Sequence, residues 1–151
     1  MSVKPIPAGY HTITAQLAID GAEKAIAFYQ KAFGAEVVDK AMSPDGAKIW
    51  HASLRIGESM IFVNDVFPEM GATASASNMW LYVADCDALF ARAVEAGATV
   101  KMPPADMFWG DRMGHLADPF GQRWTVATHV KDMTPEEMKV AEAAFVAAMK
   151  K

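Results

Sequence analysis

The sequence predicts an α+β fold in which two tandem βαβββ modules form a curved mixed-sheet cleft, followed by a C-terminal helix. The first observation behind this is an internal repeat, since Gly34-Ala35-Glu36-Val37 returns 63 residues later as Gly97-Ala98-Thr99-Val100. Leu17 returns 64 residues later as Leu81, so the two copies run through the same elements in the same order. The second observation is that each copy combines one helix-period segment with several segments of period two.

Length and charge limit the possible functions. A chain of 151 residues has the length of one domain, and we expect a single domain over residues 1–151. The net charge is -4 and the basic residues are scattered, so no surface suited to nucleic acid is expected. The sequence has no run of about 18 apolar residues and no hydrophobic secretory signal. We therefore expect a cytoplasmic protein with neither a nucleic-acid partner nor a membrane partner.

The first module occupies about residues 10–66. Apolar residues recur at helical spacing from Ala22 to Phe33, and Gly34 is suited to the C-cap of that helix. Turns are predicted at Ser43-Pro44-Asp45-Gly46 and at Gly57-Glu58. The segments between these points are predicted to be strands, at residues 12–19, 36–42, 49–56 and 59–65.

The second module occupies about residues 76–130 and repeats this pattern. Its helix is predicted at residues 86–96, and a hairpin is predicted around Asp118-Pro119-Phe120-Gly121. The strands before and after that helix are predicted at 79–83 and 99–102. A third strand carries His115, and the last strand covers 123–130.

A separate helix is predicted at about residues 134–150. Thr134 is a suitable N-cap, Pro135 a suitable first residue, and Glu137 completes a capping box. The apolar stripe of this helix predicts that it packs on the body of the protein or on a second subunit.

One face of each sheet remains open, because a single helix covers only one face and the other needs apolar cover or a ligand. Residues i and i+2 of a strand share a face, which assigns Ile13, Leu17 and Leu81 to the helix side. The polar and aromatic residues between them are assigned to the cleft, and the aromatic loop at 107–112 is placed beside it. The candidate ligand-binding residues are Gln16, Asn78, Trp80, Tyr82, Trp109, Arg112, Arg123 and Thr125.

These side chains are suited to a planar or partly anionic small molecule, and Trp124 is a further candidate for the same wall. The loop at 107–112 has two readings. Its aromatic residues form one wall of the site, or they fill the module core or a dimer contact while Asp111 and Arg112 hold the turn.

Two groups of polar residues also have alternative readings. His51 and His115 are related by the 64-residue repeat, so they either form a pair that binds a metal or an anion or mark one structural position twice. The remaining carboxylates are interpreted as helix starts and turns, at Asp85, Asp87, Asp111 and Asp118.

A family resemblance follows from motifs that occur in order along the repeat: Ala27-Phe28-Tyr29, Phe33-Gly34-Ala35 and Asp118-Pro119-Phe120-Gly121. Together they resemble the vicinal oxygen chelate superfamily, which includes glyoxalase I, extradiol dioxygenases, fosfomycin-resistance enzymes and bleomycin-binding proteins. The segments 108–112 and 118–130 resemble its PhnB-like branch. Members of this superfamily pair modules within or between chains, so the resemblance implies a homodimer.

The resemblance also implies where a metal would be held. Enzymes of the superfamily use His and Glu ligands on the first, fourth, fifth and eighth strands, and these positions map to Thr14, Ile61, Asn78 and Thr125. None of the four carries an imidazole, a carboxylate or a thiolate, so we expect no metal and no other cofactor.

Two hypotheses remain. The first is a glyoxalase/bleomycin-resistance-like protein that binds a small molecule in the cleft between the modules without the usual metal. The second is a metal-dependent lyase of the glyoxalase type, or a dioxygenase, whose ligands are shifted from the mapped positions. The sequence leaves open whether the protein is an enzyme.

Overall fold

The computed structural model describes residues 2–150, and this part of the chain contains three α-helices and eight strands in two sheets. The helices are α1 (Ala22–Phe33), α2 (Cys86–Ala96) and α3 (Pro135–Met149), and a short 3-10 helix covers Pro68–Met70. The strands are β1 (Ala15–Ile19), β2 (Glu36–Met42), β3 (Ile49–Ile56), β4 (Ser59–Asp65), β5 (Asn78–Tyr82), β6 (Thr99–Asp106), β7 (Asp111–Ala117) and β8 (Arg123–His129).

The two sheets have the same topology, β1-β4-β3-β2 in the first module and β5-β8-β7-β6 in the second. The first strand of each module pairs in parallel with the last, with Leu17 opposite Val63 and Leu81 opposite Val126, and the other pairs are antiparallel. The structure thus confirms an α+β fold of two βαβββ modules with a C-terminal helix.

Two strand boundaries differ from the prediction by more than one residue. β1 begins at Ala15, where pairing with β4 begins, and Ile13 is 86% exposed instead of packing under the helix. β6 continues to Asp106, well beyond residue 102, through Pro103 and Pro104. Prolines donate no backbone hydrogen bond, and the edge position of β6 together with its register shifts between Met102 and Ala105 accommodates them.

Each helix begins against the last strand of its own module. The Asp65 carboxylate in β4 accepts hydrogen bonds from the backbone N–H groups of Gly21 and Ala22 at the start of α1. In the second module, the Thr128 hydroxyl in β8 accepts one from the backbone N–H of Cys86 at the start of α2. These contacts satisfy N–H groups that a helix cannot pair internally, so β4 and β8 position the helices.

The core lies on the helix side of both sheets. α1 buries Ile26, Phe28, Tyr29 and Phe33, and α2 buries Cys86, Phe90 and Ala93. α2 lies close to β7 because Gly114 has no side chain: a Cβ atom there would be 2.7 Å from the Phe90 ring. Burial of such residues is the main favourable contribution to folding.

The Asp118 carboxylate connects the two modules. Its Oδ1 accepts hydrogen bonds from the backbone N–H groups of Phe120 and Gln122, and its Oδ2 accepts from the Trp124 indole at 2.9 Å. Oδ2 also accepts from the Tyr29 hydroxyl of α1 at 2.6 Å, across the module boundary. Burial and the adjacent Asp118 charge raise the pKa of Tyr29, so the phenol remains a donor.

The modules therefore meet through the helix sides of their sheets. The Trp124 ring packs on the rings of Tyr29 and Phe33, and the Arg92 guanidinium donates to the carbonyls of Gln30 and Lys31 at the end of α1. The opposite faces of the two sheets, called open face A and open face B for the first and second modules, are thereby left for other contacts.

The C-terminal helix begins as predicted, because the Thr134 hydroxyl accepts a hydrogen bond from the Glu137 backbone N–H. α3 has no buried residue, and its Phe145 ring lies 5.0 Å from that of Phe108. Of the two predicted packing partners, the body of the protein supplies only limited contact. Within residues 2–150, no helix is both long enough and apolar enough to cross a membrane.

We predict that Tyr29→Phe lowers the free energy of unfolding by about 1–3 kcal/mol, since it removes a buried hydrogen bond to a carboxylate. Urea unfolding followed by circular dichroism measures this change. Tyr10→Phe is the matched control, because no hydrogen bond of the Tyr10 hydroxyl is found within residues 2–150. An equal loss of stability in the two variants would contradict the role assigned to Tyr29.

Candidate functional site

A cavity of about 270 Å³ lies on open face B. The sheet register explains why distant residues meet there: Asn78 pairs with Arg123, Trp80 pairs with Thr125, and Thr125 pairs with His115. The cavity is lined by Asn78, Trp80, His115, Leu116, Arg123, Trp124 and Thr125. Four of the eight predicted ligand-binding residues are thus neighbours in one concave site.

Two polar side chains of this cavity, His115 and Arg123, have groups that no other protein group engages within residues 2–150. The imidazole Nδ1 of His115 lies 2.7 Å from the Thr125 hydroxyl, which leaves its Nε2 without a hydrogen-bond partner within residues 2–150. The Arg123 guanidinium likewise has no ion pair within that range. Trp80 is 45% exposed and presents an apolar surface beside these groups. The site combines an aromatic surface with uncompensated donors.

A second polar group, centred on Asp111, lies at the opposite end of open face B. The Asp111 side chain is almost fully buried, and its Oδ2 accepts hydrogen bonds from the Tyr82 hydroxyl at 2.8 Å and the Trp109 indole at 2.9 Å. Its Oδ1 lies 2.8 Å from Nδ1 of His129, whose Nε2 lies 2.7 Å from Asp132. Two predicted ligand-binding residues, Tyr82 and Trp109, are therefore donors to a protein carboxylate.

These contacts shift the pKa values of the group. Burial raises the pKa of Asp111, but the bonds from His129, Tyr82 and Trp109 outweigh burial and leave it below its ordinary value. Hydrogen bonds to Asp111 and Asp132 raise the pKa of His129. The hydrogen bond to Asp111 raises the pKa of Tyr82. The group is thus an internally satisfied hydrogen-bonded cluster rather than an open acid or base.

The aromatic loop before β7 supports the Asp111 group. Gly110 has a φ of 97°, and a Cβ atom there would collide with the Lys131 carbonyl, so the loop requires glycine. The Gly110 carbonyl accepts hydrogen bonds from the backbone N–H groups of Val130 and Lys131. Phe108 contacts Trp109 on one side and Phe145 of α3 on the other. The loop thus joins open face B to α3.

Open face A carries a larger cavity of about 530 Å³, and Gln16 belongs to it. The Gln16 amide donates to the Asn64 side chain at 2.9 Å, and Trp50 is 52% exposed beside them. The cavity is lined by Gln16, Trp50, Asn64, Phe67, Met70 and Ala72, all from the first module or the segment after it. Gln16 and Trp80, which the sequence assigns to one cleft, therefore lie in separate cavities of the same chain.

Two sequence predictions for aromatic and basic residues are corrected by packing. The Arg112 side chain points to the helix side, where it forms ion pairs with Asp87 at 2.7 Å and Asp106 at 3.3 Å, because its position in β7 alternates with that of Asp111. Trp124 is 1% exposed in the contact between the modules, so its ring does not extend an exposed aromatic wall.

The predicted roles of the carboxylates are only partly confirmed. Asp85 caps α2, since its carboxylate accepts from the Ala88 backbone N–H. Asp118 holds a turn as predicted and also binds Tyr29. Asp111 has a different role, because it begins β7 with its carboxylate buried among three side-chain donors.

The structure does not support the equivalence of His51 and His115. Residues paired across neighbouring strands are equivalent in the two sheets: Leu17, Val63 and Ala52 in the first correspond to Leu81, Val126 and Gly114 in the second. His51 lies one residue before Ala52, whereas His115 lies one residue after Gly114, so the two histidines are not equivalent. The His51 ring packs on Phe62 and lies 3.0 Å from the Ser53 hydroxyl. The two imidazoles lie on different sheets and do not form a pair.

The metal mapping also needs one correction. Ile61 is 7% exposed and lies on the helix side. β4 and β8 correspond with an offset of 63 residues, so the residue of β4 equivalent to Thr125 in the repeat is Phe62. A one-residue slip moves a strand residue to the opposite face. Phe62 carries no metal donor, and residues 2–150 contain no group of three His, Cys, Asp or Glu side chains arranged for a metal ion. The residues present do not fit the superfamily's metal.

The sequence does not single out Trp50, Asn64 or the full role of Asp111. Regular alternation in β3 would place Trp50 on the helix side together with Ala52 and Leu54. The pairing of β3 with β2 is irregular between Ala41 and Met42, and the Trp50 side chain is exposed instead. The repeat alone makes His115 a candidate ligand in the sequence. Its pairing with Thr125 across the β7–β8 hairpin is what places it in the cavity.

We predict that His129→Gln reduces the loss of stability that accompanies a rise in pH above the ordinary histidine pKa of 6.5. The pKa of His129 in the folded state lies above its ordinary value of 6.5, so its stabilisation is complete below that value and is lost as pH rises through the raised pKa. Urea unfolding across this range measures the effect. His11→Gln is the control and should keep the slope of the unaltered protein; an unchanged slope in His129→Gln would refute the prediction.

Solved structures with the same architecture include TioX from Micromonospora, with a TM-score of 0.65 and 23% identity over 82% of this chain and 100% of that chain. A glyoxalase/bleomycin resistance protein/dioxygenase superfamily member from Sphaerobacter thermophilus has a TM-score of 0.63 and 23% identity, covering 78% of this chain and 96% of that one. At these identities the likeness shows the fold.

Sequence relatives give closer matches. An uncharacterised protein of Mycobacterium bovis is 38% identical over 138 residues, which cover 85% of this chain and 90% of that protein. The anthracycline biosynthesis protein DnrV of Streptomyces peucetius is 32% identical over 114 residues, which cover 74% of this chain and 38% of that protein. A family model matches residues 11–126. The chain therefore belongs to the glyoxalase/bleomycin resistance protein/dioxygenase superfamily.

Proposed function

We propose that this protein binds a planar aromatic small molecule without a metal, in a cleft that two copies of the chain complete. The observation that carries the proposal is the cavity on open face B, where exposed Trp80 lies beside Asn78, Arg123 and Thr125. Binding sites are typically concave, with apolar and aromatic walls and a few polar groups that orient the ligand.

The chemistry of the side chains supports binding without a metal. At the four ligand positions, read with the register of the structure, no side chain offers the imidazole nitrogen, carboxylate oxygen or thiolate sulfur that catalytic divalent metals prefer. The buried acid of open face B, Asp111, is already engaged by Tyr82, Trp109 and His129. These observations give no support to a lyase or dioxygenase with shifted ligands.

The relatives support an aromatic ligand more generally. The name of DnrV links that protein to anthracycline biosynthesis, and anthracyclines contain a planar anthraquinone ring system. The 32% identity covers 74% of this chain. A flat ring system is also the shape that a single exposed indole such as Trp80 contacts over the largest area.

The separation of the two cavities supports a homodimer. Within one chain the modules meet through Tyr29, Phe33 and Trp124 on their helix sides, and each open face keeps an exposed tryptophan, Trp50 or Trp80. An isologous pair of chains places open face A of one copy over open face B of the other and forms two identical clefts. Each cleft then has two walls, and the exposed aromatic surface is covered.

We predict that Trp80→Ala weakens binding of anthraquinone-2-carboxamide, a neutral planar probe, by about tenfold because the stacking surface is lost. Isothermal titration calorimetry gives the dissociation constants. Phe145→Ala is the matched control, since Phe145 is exposed to the same degree (46% against 45%) but lies on α3 outside the cavity. Equal affinities for Trp80→Ala and the unaltered protein would count against this site.

A subunit-mixing experiment tests the shared cleft. Trp50→Ala damages open face A and Trp80→Ala damages open face B, so each variant alone has two defective clefts. After mixing and exchange of subunits, each mixed dimer contains one intact cleft, so about a quarter of all sites should bind the probe with the original affinity. Equilibrium sedimentation checks the dimer mass. Binding that is not restored in mixed dimers would show that each cleft belongs to one chain.

A further inference from the structure

We propose that the open-face B cavity selects aromatic molecules that carry a carboxylate, with the ring on Trp80 and the carboxylate bound by Arg123, Asn78 and His115. This inference rests on the proposed function and adds the charge of the ligand to it. It follows from the state of the polar groups in the cavity, taken one at a time.

Arg123 differs from the other arginines of the protein. Arg55 forms an ion pair with Glu36, Arg92 donates to the carbonyls at the end of α1, and Arg112 forms ion pairs with two aspartates. Arg123 has no such partner within residues 2–150 and lines a cavity. A guanidinium offers a planar pair of donors that matches a carboxylate, so Arg123 is free to bind an anion from solution.

The neighbours of Arg123 favour the same charge. His115 has its Nδ1 next to the Thr125 hydroxyl, which orients the ring and leaves Nε2 without a partner in the described part of the chain. When Nδ1 accepts from that hydroxyl, Nε2 carries the proton and can donate to an anion. Asn78 is paired with Arg123 in the sheet register and adds an amide at the same end. No Asp or Glu lines this cavity, so nothing in it repels an anion or neutralises Arg123.

The aromatic part of the ligand is assigned by register. Trp80 follows Asn78 by two positions on the same face of β5, and its ring lies 6.0 Å from that of Tyr82 in the direction of Asp111. A ligand whose ring covers Trp80 therefore has its substituent end either near Arg123 or near the buried Asp111. At the Asp111 end the Tyr82 hydroxyl and the Trp109 indole already donate to the protein's own carboxylate, so the ligand carboxylate belongs at the Arg123 end.

The test compares two probes that share one ring system: anthraquinone-2-carboxylate and the neutral anthraquinone-2-carboxamide. Calorimetric titration of the 151-residue protein should give about tenfold tighter binding of the carboxylate. Arg123→Gln should abolish this preference, so that the two probes bind this variant with equal affinity. Lys24→Gln, which removes the same charge from the exposed side of α1, should keep the preference.

The outcomes separate the two proposals. If both probes bind equally well to the unaltered protein, the charge selection is refuted and the aromatic binding site stands. If the preference survives in Arg123→Gln, the assignment of the anion to Arg123 is refuted. If neither probe binds, the proposed function itself fails. Thermal unfolding of each variant verifies that the exposed substitution leaves the fold intact.

Discussion

The architecture depends on one buried carboxylate. Asp118 is removed from water, which is costly for a charge unless donors replace the solvent, and four donors do so. Two are backbone N–H groups that shape the turn into β8, one is the Trp124 indole, and one is the Tyr29 hydroxyl of the other module. The same group therefore sets the start of β8, the orientation of Trp124 and the position of α1. Because the contact lies on the helix side of both sheets, the open faces are left for a ligand or another chain.

The two ends of open face B are electrostatically unlike. At one end Asp111 is surrounded by the donors of Tyr82, Trp109 and His129, so its charge is compensated inside the protein. At the other end Arg123 has no compensating charge in the described chain, although the protein as a whole is acidic. Arg123 lines the cavity directly, whereas the charges that make up the net charge of -4 are spread over the surface and screened by salt, so Arg123 sets the local charge preference. The face thus gives a bound molecule a preferred direction.

Open face A supplies a different chemistry. Its cavity contains the paired amides of Gln16 and Asn64, the exposed ring of Trp50 and the half-buried ring of Phe67, with no charged side chain in the lining. A molecule held between faces of these two kinds meets hydrogen-bond donors on one side and a mainly apolar surface on the other. The repeat has therefore diverged in its open faces while keeping its helix sides, where Leu17 and Leu81 occupy corresponding buried rows. Because alternate residues of a strand face opposite sides of the sheet, residues on the helix side can maintain the core while residues on the open face differ.

The sequence by itself determined the features that depend on near neighbours: the two modules, the helices, the capping of α3 at Thr134 and the open-face assignment of β5 and β8. A helix or strand period needs only a few adjacent residues to be recognised. Only the tertiary structure decided the rest. A slip of one residue at a hairpin moved Ile61 to the core, and irregular pairing turned Trp50 outward. Partners far apart in sequence, such as Asp118 and Tyr29, are chosen by packing across the whole chain, which no local pattern contains.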